Sequence, residues 1–306
     1  MQLRYTLLNV FTKQADGGNP LAVVTDAEAL ESGAMQDIAS RLGLSETVFV
    51  LPASRPSCTA AIRIFTPTEE LPFAGHPTIG AAICLAYQRI WPKMDEECDA
   101  LAVLEAKGGI LRVAVKPAGE DVAFAEFDVP SLPRETAEPP PVDRLAAALG
   151  LAPTEIGFEN FRPRRFSAGS PFTFVPVSGL DAMRRAHVVE AFWDEAFGGD
   201  DHPAAYLYCR ETVQHKAAFH ARAFVPAMGV AEDEDAATGS AAAAFAAIIN
   251  LFDGPPEGTY NAMIEQGVEM GRPSEIFVEF EVQGRNLRVV RIGGYAVMVG
   301  ERTAEL

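Results

Sequence analysis

Two segments combine residue types that could hold an anion and move a proton. Gly75-His76-Pro77-Thr78 and Thr238-Gly239-Ser240 each open a run of small and apolar residues, Thr78–Tyr87 in one case and Ser240–Leu251 in the other. The first turn of a helix leaves backbone N–H groups without intrahelical partners, and about half a positive charge accumulates there. Glycine lets a ligand approach that backbone, and Ser or Thr adds a hydroxyl. Two such ends facing one cleft would hold a carboxylate without Lys or Arg. Plain N-capping by Thr78, and by Thr238 or Ser240, would use the same residues.

Two further stretches supply the candidate carboxylates. Glu46, in Ser45-Glu46-Thr47, precedes the apolar run Val48-Phe49-Val50. Desolvation there would raise its pKa toward general acid/base use; a strand-end Glu facing solvent is the alternative. Glu232-Asp233-Glu234-Asp235 runs up to the second helix start. These acids either complement the helix dipole or send one member inward to work with His76. His215 and His220 are five apart, so on a strand they would point to opposite faces and make poor joint metal ligands. His187 and His202 lack partners, and no metal site is assigned. Cys58, Cys84, Cys98 and Cys209 form no C-x-x-C pair and read as free thiols, Cys84 in the core.

The elements that must carry these residues follow from periodicity. Alternation predicts strands at Leu3–Val10, Leu21–Val24, Thr47–Leu51 and Cys58–Phe65, with a turn at Gly17–Pro20. Glu28–Leu42 has apolar residues at helical spacing and ends at Gly43. The two small-residue helices have no polar stripe, so each is buried on every side. Strands around Leu101–Leu104, Gly109–Val115 and Val122–Val129 complete a first half. Pro130–Val142, rich in proline, reads as a linker. Beyond it come helices at Asp143–Leu149 and Val188–Phe197, strands at Phe172–Val177, Ala205–Arg210 and Ala217–Phe224, and a strand-rich tail from Ile276. The halves repeat one scheme, in order and pattern rather than in residue identity. The expected fold is α+β, with two pseudo-symmetric domains, each a curved, mostly antiparallel sheet or open barrel around a central buried helix. The domains are 1–130 with a C-terminal strand of about 290–306, and 131–289, with the active site in the cleft between them. No G-x-G-x-x-G follows a strand, which argues against a dinucleotide fold.

The 306 residues carry a net charge of −17, which disfavours nucleic acid and anionic membranes as partners. The longest apolar stretch, Ala241–Ile249, is far short of the roughly 20 residues a membrane span needs. The N-terminus lacks a signal-peptide pattern, and the expectation is a soluble cytoplasmic protein.

Four stretches together resemble the PhzF-like isomerases of phenazine biosynthesis, within the diaminopimelate-epimerase-like superfamily. They are Gly18-Asn19-Pro20, Ser45–Phe49, Phe65–Gly80 with Phe73-Ala74-Gly75-His76-Pro77-Thr78, and Glu234–Ala241; Gln266-Gly267 with Gly271–Ser274 is a weaker fifth. The resemblance implies Glu46 as catalytic acid/base, accompanied by Asp235 and His76. It implies Gly75, Pro77, Thr238, Gly239, Ser240 and Asn19 as substrate binders. Ala236 stands where the motif usually has proline. Relatives that racemise amino acids carry a cysteine at each helix start; the matching positions here are Ala74 and Thr238, so two-thiol chemistry is excluded. The function implied is a cofactor-independent isomerase that moves a proton and a double bond in a small carboxylate-bearing substrate, with a homodimer as a further expectation. A Glu-based epimerase on the same scaffold and a non-catalytic small-anion-binding protein are the alternatives.

Overall fold

The computed structural model describes residues 2–93, 98–198, 203–226 and 233–305. Glu232 and His202 therefore lie outside the described residues. The chain forms two compact units, Met1–Pro130 with Ile292–Leu306, and Ser131–Arg291.

Unit 1 contains β1 (Gln2–Val10), β2 (Asn19–Val24), α1 (Ser32–Leu42), β3 (Glu46–Leu51), β4 (Ala60–Phe65), β5 (Glu70–Leu71), α2 (Gly75–Leu85), β6 (Ala100–Ala106), β7 (Gly109–Gly119) and β8 (Val122–Asp128). The last strand, β17 (Asn286–Glu305), begins in unit 2, and its residues from Ile292 onward belong to unit 1. Antiparallel pairing joins β1 to β2 and β17, β3 to β4, β6 to β7 and β7 to β8, while β2–β3 and β4–β6 are parallel. With β8 paired to β17 the circuit closes. The expected open barrel is here a closed one, which leaves no sheet edge in that circuit. Every residue of α2 is buried, against β1, β2, β3, β6, β7 and β8. A sequence without a polar face has no other stable placement. Alpha-helical structure in α1 starts four residues after the expected Glu28, because Leu30 closes a turn on Ala27.

Unit 2 contains β9 (Arg134–Glu135), α3 (Val142–Ala148), β10 (Arg164–Ser167), β11 (Pro171–Pro176), α4 (Leu180–Arg185), α5 (Glu190–Phe197), β12 (Ala205–Cys209), β13 (Phe219–Phe224), β14 (Glu234–Asp235), α6 (Gly239–Asp253), β15 (Gly258–Gln266) and β16 (Ser274–Gln283). The Pro-rich segment expected to be a linker is partly structured: β9 pairs with Phe166 and Ser167 of β10. Proline blocks continued strand there but leaves Arg134 and Glu135 free to pair. One face of β12, through Ala205, Leu207 and Cys209, packs under α3, α4 and α5. The other face presents Tyr206 and Tyr208 to Phe245 of α6.

The two units repeat the pattern, and a few residues recur with it at matching places. β11–β12 and β13–β15 are parallel, and β12–β13, β13–β14 and β15–β16 antiparallel, in the order already met from β2 to β7. Arg63 forks onto Glu70 at 2.8 and 2.9 Å, and Arg222 onto Glu234 at 2.9 and 2.6 Å. Each arginine sits two residues before a phenylalanine, Phe65 or Phe224, that pairs with the same glutamate. Five residues after each glutamate a glycine, Gly75 or Gly239, opens the buried helix. Glu105 accepts the amides of Ser54 and Arg55; Glu265 accepts those of Val213 and Gln214.

Candidate active site

In unit 1, Glu46 opens β3 opposite Leu21, and His76 is the second residue of α2. Glu46 is 6% exposed and His76 3%, and their facing atoms, Oε2 and Nδ1, lie 3.4 Å apart. Glu46 is therefore buried, not turned to solvent. Burial pushes the His76 imidazole down to about 3, so the ring is neutral at pH 7 despite its ion-pair distance from a carboxylate. Its Nε2 is buried and has no hydrogen-bond partner among the described residues. A buried neutral imidazole with one uncommitted nitrogen beside a carboxylate is a competent acid/base and positioning pair.

The first-turn amides of Gly75 and His76 are among those a helix leaves without intrahelical partners; Pro77 contributes none. Thr78 does not cap. Its hydroxyl donates back to the Ala74 carbonyl at 2.7 Å, inside the first turn. Asn19 is fully buried at the head of β2, two residues before Leu21. Gly18 before it has φ +68°, and a Cβ there would lie 2.4 Å from the Val10 carbonyl, so only glycine makes that turn.

In unit 2, Thr238 is the N-cap residue of α6, yet its side chain bonds no helix amide. The hydroxyl instead donates to Asp235 Oδ2 at 2.7 Å. Gln266, fully buried at the end of β15, locks this turn. Its Nε2 donates to the Asp235 carbonyl at 2.7 Å and to Thr238 Oγ1 at 3.0 Å, while its Oε1 accepts the Thr238 amide at 3.2 Å. Gly267 follows with φ +74°, and a Cβ there would lie 2.6 Å from the carbonyls of both Ala236 and Arg272. Gly239 and Ser240 occupy the first two helical positions. Asp235 also shares a lateral row with Ala223 and Tyr206 across three strands. The Tyr206 hydroxyl is buried without a partner among the described residues, and burial, with the Asp235 charge nearby, raises its pKa.

The repeat shows how the two polar sets diverged. Val48 stands opposite Ile64 as Tyr206 stands opposite Ala223, so the counterpart of Glu46 is Ala204. The counterpart of Asp235 is Leu71, since Ile64 faces Leu71 as Ala223 faces Asp235. Ala74 and Thr238 occupy the same N-cap position. Each unit thus keeps one acid of this set, at a different place. Gln266 entered the sequence reading only as part of a weak motif and His220 only as a poor metal ligand beside His215, while Glu269 and Tyr206 gave no signal there. The repeated Arg-x-Phe and the glycine five residues after each glutamate were visible in the letters as well. Cys84 is buried inside α2, and burial pushes its thiol up to about 12, so it is unreactive core. No metal-binding group of three or more His, Cys, Asp or Glu occurs among the described residues.

The fold is α+β, each unit wound on a buried helix, and it is shared with solved PhzF-family proteins and a predicted epimerase of Pseudomonas aeruginosa. The chain belongs to the phenazine biosynthesis-like protein family, whose model matches residues 8–302. It is 48% identical over 98% of both chains to an uncharacterized isomerase of Mesorhizobium japonicum. It is 34% identical to trans-2,3-dihydro-3-hydroxyanthranilate isomerase of Pseudomonas chlororaphis, over 99% of both chains. The crystal structure of a Bacillus anthracis phenazine biosynthesis protein of the PhzF family superposes with a TM-score of 0.87 at 25% identity, covering 100% of both chains. The protein is an enzyme of the isomerase class. No helix of the described residues is long and apolar enough to cross a membrane.

Proposed function

We propose that the enzyme moves a proton, and with it a double bond, within a small unsaturated carboxylic acid by general acid/base catalysis at Glu46. The observation that carries this reading is the pairing of a buried carboxylate with a buried neutral imidazole at a helix start. The relatives named for trans-2,3-dihydro-3-hydroxyanthranilate support the substrate class, since that molecule bears a carboxylate and conjugated unsaturation. The substrate carboxylate accepts from the helix-start amides of Gly75 and His76. Glu46 removes a proton from carbon and returns it at another carbon of the conjugated system. His76 holds a substrate polar group or the proton in transit; in unit 2, Asp235, fixed by Thr238 and Gln266, is the acid proposed to assist catalysis. The substrate delocalises the charge, so this scheme calls on no cofactor.

The test is incubation in D2O with trans-2,3-dihydro-3-hydroxyanthranilate and a panel of small unsaturated acids, reading deuterium in product by mass spectrometry. Label should enter at one carbon, and Glu46→Gln should abolish entry while still binding the acid. Full turnover by that variant would end the assignment of Glu46. Inversion at one carbon without movement of a double bond would instead make the enzyme an epimerase.

A further inference from the structure

The two units cap the same loop with the same glutamate but face it with different residues. Glu105 takes the Ser54 and Arg55 amides, and the residue opposite it on β4 is Ala61. Glu265 takes the Val213 and Gln214 amides, and the residue opposite it on β13 is His220. Loop capping therefore needs no histidine. His220 nevertheless is fully buried, with Nδ1 2.8 Å from Glu265 Oε1 and Nε2 3.0 Å from Glu269 Oε1. Ionised carboxylates only accept, so a ring bonded to one at each nitrogen carries both protons. Burial disfavours that charge, but the hydrogen bonds that the ring donates to Glu265 and Glu269 outweigh it and push His220 up to about 9.

Glu269 lies in the tight turn immediately after Gln266 and Gly267. That turn is closed by the Arg272 amide on the Gly267 carbonyl and the Gly271 amide on Val268. We infer that His220 is a positioning residue: through Glu269 it fastens the turn that follows Gln266, and so keeps the Gln266 amide locked on Asp235 and Thr238. Its consequence for catalysis rests on the role of Asp235 proposed above; the lock itself does not. The other titratable or charged groups around the ring are Cys209, opposite on β12, Glu211 beyond it, and Arg222, two residues along β13 and committed to Glu234. Burial pushes the Cys209 thiol up to about 12, so His220 loses its proton first as pH rises. A neutral imidazole has one N–H, so one of the two carboxylate bonds then fails.

Hydrogen exchange on the full chain tests this without any substrate. His220→Ala copies Ala61, so Glu265 should still protect the Val213 and Gln214 amides. Protection of the Thr238 amide, which donates to Gln266, should fall by about tenfold or more, together with that of Arg272. Glu269→Ala severs only the outer arm and should give the same selective loss, whether or not His220→Ala folds. In the wild type, Thr238 protection should step down as pH passes about 9, beyond intrinsic exchange, and the step should vanish in both variants. Unchanged Thr238 protection in Glu269→Ala, or a loss spread equally over Val213, Gln214 and Thr238, would overturn the inference. Full turnover by Asp235→Asn would remove the catalytic consequence and leave the lock standing.

Discussion

Replacing Glu234 with Gln, and separately Glu70 with Gln, compares one ion pair in two settings of the same repeat. Arg222 gives Glu234 two parallel hydrogen bonds and donates its remaining Nη1 to the carbonyls of Met183 and Ala186 at 2.6 and 2.8 Å. That ties β13, β14 and α4 together and places the residue next to Asp235. The side chains of this pair are 9% and 6% exposed, against 25% and 21% for Arg63 and Glu70. Removing one charge from a buried pair strands the other in a poor solvent, at a cost of about 3–5 kcal/mol. The partly exposed pair rehydrates, and its loss costs about 1 kcal/mol or less. Glu234→Gln should therefore destabilise by roughly 3 kcal/mol more than Glu70→Gln. The chain has two tryptophans, Trp91 in unit 1 and Trp193 in unit 2, so urea unfolding of Trp91→Phe and Trp193→Phe backgrounds reports each unit separately. The Trp193 transition should move to lower urea in Glu234→Gln with its slope unchanged. The Arg222→Met, Glu234→Leu double variant should recover most of the loss, because it removes both charges together. Equal losses in Glu70→Gln and Glu234→Gln would refute the claim that desolvation, rather than pairing, sets the cost.

Three further outcomes follow from the site. Thr238→Val removes the donor to Asp235 and the acceptor for Gln266, and should cost about 1–3 kcal/mol in a denaturation midpoint and lower turnover at unchanged fold by circular dichroism. His76 is held well below its ordinary value by burial, so the folded form binds fewer protons than the unfolded form. Its contribution to stability is full above about pH 6.5 and is lost as pH falls toward 3; melts of His76→Gln should show a weaker acid dependence over that window. Tyr206→Phe deletes a buried hydroxyl without a hydrogen-bond partner among the described residues, and its melting temperature should hold or rise. A clear fall would show that the hydroxyl makes an interaction of its own.

The buried helices were legible because Gly75–Leu85 and Ala241–Ile249 lack a wet face, and such a run has only the core to go to; the last turn of α6, with Leu251 47% exposed, leaves it. The strand order was legible as a rhythm. Pairing was not, since the parallel joins β2–β3 and β4–β6 connect residues that no local signal links. The stretch containing Arg134 looked like linker because local composition cannot show that a distant strand, β10, offers partners.

The acids and the helix starts were named from residue type and from resemblance, both properties of the letters. What the letters could not show was which hydroxyls cap and which point elsewhere. Thr238 spends its hydroxyl on Asp235 because Gln266, 28 positions later, takes its amide. His220 was weighed only against His215, because its partners, Glu265 on the parallel neighbour β15 and Glu269 in the turn after it, are 45 and 49 residues downstream. Composition and periodicity determined the elements and the burial of the two helices, because burial of apolar surface is governed by local pattern. The protonation state of a histidine and the aim of a carboxylate were decided only by the tertiary structure. Both depend on desolvation and on hydrogen-bond partners that long-range strand pairing brings within 3 Å or so.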